Sequence, residues 1–172
     1  MKPEEAKVIA NFLAATLEME AATTIRVIAA MPEGQNEYAP DGRSMKALEL
    51  AQHIAGAEIM LIGIAIHGGA TGLSPAYPEE VKLLATPGAV VEWYSTEQPK
   101  TLAQLRALTP EALASVVTVW GGAFSLPAVH YAMLALSHGN HHRGQLSAYL
   151  RPMGGRVPSI YGPSGDEELA AS

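Results

Sequence analysis

The chain has 172 residues, 48% apolar and 16% charged, with a net charge of −6 and a pI near 5.5. That is enough apolar material for a sizeable core and too much for a disordered chain, and the lack of any basic tract argues against nucleic acid as a partner. Cysteine is absent, which excludes disulfides, thiolate-held zinc and a protein thiol nucleophile, so any metal must sit on histidine, carboxylate or carbonyl oxygen.

The N-terminus, Met1-Lys2-Pro3-Glu4-Glu5, is acidic at once and lacks the basic-then-apolar pattern of a signal peptide. From residue 4 to 31, Val8, Ile9, Phe12, Leu13, Leu17, Ala21, Ile25 and Ile28 recur at helical spacings, predicting a first helix with one buried stripe. Met31-Pro32 ends it, because the residue before proline is pushed out of the helical region. Pro32 to Arg43 reads as a loop rich in Pro, Gly, Asn and Asp.

Ser44 suits the N-cap of a second helix over about 45–66, with Met45, Leu48, Ala51, Ile54, Ala55, Ile59, Ile62 and Ile66 on its apolar side. Its longest apolar run, Ile59 to Ile66, is too short to span a bilayer, so the expectation is a cytoplasmic protein with no membrane partner. His67-Gly68-Gly69-Ala70-Thr71-Gly72 reads as a glycine-rich helix end, with His67 solvated or capping; without a Gly-Lys-Ser/Thr ending it is no phosphate loop. A short helix is expected around Pro78–Leu84, followed by a third main helix from about Gly88 to Leu108, kinked or split at Pro99.

Thr109-Pro110-Glu111 signals another start, with Thr109 capping and Pro110 in the first turn. Val116-Val117-Thr118-Val119-Trp120 is β-branched and short, a brief strand or an extended connector before Gly121-Gly122. The last helix is expected from a Ser125 cap to about Arg151, stopped by Pro152 and Gly154-Gly155. Four long helical patterns without a run of strands predict an all-α four-helix bundle with at most a very short β segment. No internal repeat or dividing linker appears, so residues 1–172 read as a single domain.

Three of the six histidines fall within His138–His142. On a helix, His138 and His142 lie one turn apart on one face, close enough for two imidazoles to reach one metal ion. His141, three residues after His138, is the rival to His142 for that role. A third ligand must come from another helix, and His53, among apolar neighbours on the second, is either a neutral core histidine or that ligand. His53, His138 and His142 would form a three-nitrogen site with an open position, the pattern of a catalytic metal. Glu49 and Gln145 are either partners that orient the rings or solvated face residues, Arg143 is expected on the surface or paired with a carboxylate of the tail, and His130 is expected in a wall or the core.

The segments His138-Gly139-Asn140-His141-His142-Arg143-Gly144-Gln145-Leu146, Tyr149-Leu150-Arg151 and Val157-Pro158-Ser159-Ile160-Tyr161-Gly162-Pro163-Ser164-Gly165-Asp166 resemble the C-terminal signature of the DinB/YfiT-like family. Tyr38-Ala39-Pro40 through Ser44–Leu50 to His53-Ile54 resembles that family's second-helix signature. The resemblance implies an up-down-down-up four-helix bundle, often a homodimer, with a divalent metal on three histidines. Carried across, the ligands fall on His53, His138 and His142, which favours His142 over His141. It also implies an enzyme whose metal activates a low-molecular-weight thiol such as bacillithiol or mycothiol.

The resulting expectation is a metal-dependent transferase holding zinc, nickel or a similar divalent ion at these three histidines and acting with a thiol on a small-molecule substrate. The alternatives are a hydrolase using metal-bound water with Glu49 or another carboxylate as base, and a non-enzymatic, stress-related or small-molecule-binding dimer.

Overall fold

A computed structural model describes residues 1–71 and 78–168. The elements are α1 (Pro3–Ala29), α2 (Ala47–Thr71), a 3-10 turn (Glu79–Leu83), α3 (Pro87–Ala107), α4 (Pro110–Ala114), β1 (Val116–Val119), β2 (Phe124–Pro127) and α5 (Ala128–Leu150). The long helices α1, α2, α3 and α5 form the bundle, and β1 pairs antiparallel with β2, Val117 opposite Leu126.

Side-chain contacts fix the helix directions. Lys7 near the start of α1 donates from Nζ to the Arg106 and Leu108 carbonyls at the end of α3, at 2.7 and 2.8 Å, so α1 and α3 run antiparallel. Glu58 of α2 meets Tyr94 of α3, while Gln52 reaches the Leu84 carbonyl just before α3, so these two run parallel. His53 meets His138, whereas Gly68 at the far end of α2 lies against Val117 ahead of α5, so α2 and α5 run antiparallel. The order is up, down, down, up, as the resemblance implies.

One core cluster at the hairpin end joins Leu13 and Leu17 of α1 with Ile62, Leu102, Val117 and Tyr131. A second, at the other end, joins Val27 and Ile28 with Leu50, Ile54, Tyr94, Leu146 and Leu150. The stripe expected on α1 is buried at Leu13, Leu17, Ala21 and Ile28 but not at Val8, Ile9 and Phe12. Ala6, Ala10, Leu13, Ala14 and Leu17 are buried, whereas Val8, Phe12 and Met19 are 68–70% exposed. The small alanines let neighbouring helices approach closely, and that packing decides which side faces inward.

Three helix ends also differ from expectation. Ser44 is held outside α2 by Asp41, and the first turn is closed instead by Glu49, whose carboxylate accepts from the Lys46 amide at 3.2 Å. At its other end α2 runs on through His67 and Gly68 to Thr71; Gly72 lies outside the described residues. Gly68 serves packing: a Cβ there would stand 2.4 Å from Val117 Cγ1. Ser125 is not a cap but part of β2, its hydroxyl 2.9 Å from that of Thr118.

Elsewhere the local signals hold. Thr86 and Thr109 cap α3 and α4 through their hydroxyls, and α3 continues through Pro99 as one helix. The hairpin tip turns through Trp120, Gly121 and Gly122 at φ of 52°, 65° and 94°, a left-handed path that glycine adopts without strain. By length and composition, Pro3–Ala29 and Ala47–Gly68 would each suffice to cross a membrane, but 61% of the α2 window is buried inside the bundle.

Candidate metal centre

Antiparallel packing of α2 on α5 brings His53 opposite the two turns that carry His138 and His142. The ligand-capable nitrogens of the three rings all lie within 4.8 Å of one another. His53 Nε2 and His138 Nε2 are 3.2 Å apart, and the His142 ring centroid lies 4.6 Å from that of His53 and 4.3 Å from that of His138. Two nitrogens bound about 2.0–2.1 Å from a tetrahedral ion stand about 3.3 Å apart, so this spacing fits a metal.

Protonation favours the same use. Burial, then the neighbouring His142, lowers the pKa of His53. Burial, then His142, His53 and His141, pushes His138 down to about 4. Burial also lowers His142, against an opposing hydrogen bond to Gln145. Neutral imidazoles are the ligand form, so the cluster is held ready for a cation.

Gln145, one turn on from His142, places Oε1 2.7 Å from His142 Nδ1. An amide oxygen only accepts, so Nδ1 carries the proton and Nε2 keeps its lone pair for a metal. Among the described residues, His138 Nδ1 is buried without a partner, leaving Nε2 as that ring's engaged nitrogen. His141 is exposed and stacks edge-on against His142, 4.8 Å between centroids, outside the three-histidine group. His67 is exposed. His130 Nδ1 is buried without a described partner beside a cavity of about 80 Å³ lined by Met1, Ile9, Val129 and Met133, away from the cluster.

His53 also lines a cleft of about 610 Å³ with Asn36, Met45, Lys46, Leu48, Glu49 and Lys82. The donor set and cleft together could hold a metal ion with a small molecule beside it. Glu49, considered as an orienting group, instead caps α2.

Arg143 is neither on the surface nor, among the described residues, paired with a carboxylate of the tail. It is 2% exposed and forms an ion pair with Glu20 of α1 at 2.5 Å. It also donates to Thr24 Oγ1, Asn140 Oδ1 and the Tyr161 hydroxyl at 3.3, 3.0 and 2.5 Å. The turn carrying His142 is therefore anchored to α1 and to the tail. Sequence reasoning also passed over Glu58, although the signal was present: no other Asp, Glu, Lys or Arg stands between Leu50 and Ile66.

The model of the DinB family matches residues 8–169. The chain belongs to the DinB family. Over 42 residues it is 43% identical to the uncharacterized protein YrdA of Bacillus subtilis (strain 168), a match to 24% of this chain and 25% of that protein. The chain thus spans only about a quarter of that relative's length.

The DinB-like protein YjoA of Bacillus subtilis has a similar structure, with a TM-score of 0.66 at 21% identity over 86% of this chain and 96% of that one. A DinB-like protein of Bacillus cereus ATCC 10987 gives 0.66 at 18% over 87% and 95%. A mutant of the mycothiol-dependent maleylpyruvate isomerase gives 0.50 at 16% over 92% and 65%. At these identities the likeness is one of fold.

Proposed function

We propose that this DinB family chain is a divalent-metal-dependent enzyme that activates a low-molecular-weight thiol for transfer to a small electrophile. The observation that carries the reading is the convergence of His53, His138 and His142 beside the cleft that His53 lines. The mycothiol dependence of one structural neighbour supports the choice of a thiol. Zinc and nickel suit a set of three imidazoles.

A divalent ion held by these rings supplies Lewis acidity that makes a bound thiol or water easier to deprotonate. The chain's own residues do the remaining work. Gln145 fixes the tautomer of His142, and the Glu20–Arg143 pair anchors its turn. Met45 and Leu48 give the cleft an apolar wall for the body of a small substrate, while Asn36, Lys46 and Lys82 offer polar groups around it.

Metal content of protein purified without added metal or a histidine tag tests the centre. The expected result is about one divalent ion per chain, lost on His142→Ala. A panel of electrophiles, with and without thiol, then tests the reaction. Turnover that needs no thiol would favour a hydrolase, and Glu49, on the wall of the same cleft as His53, would be the candidate base.

A further inference from the structure

Glu58 is the only acidic side chain among the described residues buried in the bundle core, 4% exposed. Its Oε1 accepts from the Tyr94 hydroxyl of α3 at 2.8 Å. Its Oε2 faces the backbone of α5 at Gly139, where a Cβ would stand 3.6 Å away. Gly139 directly follows His138, so the carboxyl abuts the turn that carries two of the three ring nitrogens. Along α2, Glu58 is five residues from His53, a rise of about 7.5 Å.

Its surroundings come from three other helices. Tyr94 and Gln98 of α3 and Arg143 of α5 favour the charged form; Glu20 of α1 opposes it. Burial outweighs them and brings the carboxyl up to about 7. Arg143 pairs with Glu20 at 2.5 Å, and among the described residues Glu58 forms no ion pair of its own. A divalent ion on three neutral imidazoles would bring two positive charges and no carboxylate ligand into the same half-buried region, where attraction between charges is weakly screened.

We propose that Glu58, buried against the α5 turn that carries His138, is the counter-charge of the metal centre and gives up a proton to solvent when a divalent cation binds. The inference rests on the metal reading above. It makes Glu58 a positioning residue for charge, acting on the centre without ligating it. The bond broken is the carboxyl O–H, and bulk water or buffer takes up the proton.

The test is calorimetric titration of zinc into the metal-free full chain at pH 7.0, in buffers of different ionisation enthalpy, for the parent and Glu58→Gln. The parent is expected to release roughly half a proton per zinc more than the variant. Between pH 8 and pH 6 its apparent affinity should fall about tenfold further than the variant's. Equal proton counts and equal pH slopes would overturn the proposal while leaving the metal reading intact. A parent that binds no zinc would overturn both. If Glu58→Gln does not fold, the Glu58 carboxyl carbon can be followed by NMR in the parent. Its titration midpoint should drop by at least about one pH unit with zinc, and an unmoved midpoint would equally overturn the proposal.

Discussion

His53 Nε2 and His138 Nε2 stand 3.2 Å apart although the residues are 85 positions apart in the chain. Such proximity of two nitrogens, each on a half-buried ring with a lowered pKa, is economical only when a cation or a shared proton lies between them. Replacing either ring should therefore abolish metal uptake without unfolding the bundle. The expected outcome for His53→Ala and for His138→Ala is loss of bound metal by elemental analysis with an unchanged far-UV spectrum. Metal retained at one ion per chain in either variant would remove these rings from the centre.

Gln145 tests orientation separately from ligation. Its amide oxygen holds the Nδ1 proton of His142, 2.7 Å away. Gln145→Leu leaves all three ring nitrogens in place but frees the ring to rotate and change tautomer. Zinc affinity should fall about 10- to 100-fold, measured by competition with a chromophoric chelator. Because Gln145 is exposed, the melting temperature of the metal-free protein should stay within about 2 °C.

The bundle and the His-x-x-x-His pair were legible in the sequence because both are local patterns, set by helical periodicity. What escaped were choices made by partners distant in the chain. Val8 and Phe12 satisfy an apolar stripe as well as Ala10 and Ala14 do, and only close helix packing decides which side is buried. Ser44 and Ser125 are acceptable caps, displaced by Asp41 and by strand pairing with Thr118. Arg143 reads as a surface residue or a partner of a tail carboxylate because its actual partner, Glu20, lies 123 residues away. Glu58 was overlooked because a lone carboxylate in an apolar helix shows its role only once Tyr94 and Gly139 are seen against it.

Arg143 is predicted to matter for stability ahead of chemistry. Removing a buried cation leaves Glu20, only 20% exposed, beside an empty space and takes one hydrogen bond each from Thr24, Asn140 and Tyr161. Arg143→Ala should cost about 3 kcal/mol in denaturant unfolding. Arg143→Lys should recover only part of this, because an ammonium cannot reach α1, Asn140 and Tyr161 together in the planar fork geometry. An alanine variant as stable as the parent would show that the pair adds nothing net.

The pH dependence of metal-free stability has opposing contributions. His138 has its folded pKa depressed from 6.5 to about 4, so its stabilisation is full above pH 6.5 and is lost as pH falls toward 4. Glu58 has its folded pKa raised from 4.5 to about 7, so its contribution is full below 4.5 and is lost as pH rises through 7. The difference between parent and Glu58→Gln isolates the second effect. That difference should shift by about 2–3 kcal/mol against the parent between pH 4.5 and pH 7.5. Parallel stability curves would place the carboxyl at an ordinary pKa.

Gly68 provides a test of the fold at the opposite end of α2 from the histidines. Within a helix, glycine is about 1 kcal/mol less favourable than alanine, so Gly68→Ala at an open position would stabilise. Here the added Cβ would meet Val117 Cγ1 at 2.4 Å, and a β-branched valine on a paired strand has little rotamer freedom to retreat. Gly68→Ala should therefore be destabilising by about 1–2 kcal/mol. In a Val117→Ala background the clash is gone and the same substitution should become neutral or stabilising, a coupling of at least about 1 kcal/mol in a double-mutant cycle. Zinc affinity should not change in either background, since the contact lies about 15 residues, roughly 22 Å of helix, from His53. Additive effects of the two substitutions would mean that the hairpin does not press on α2 at this glycine.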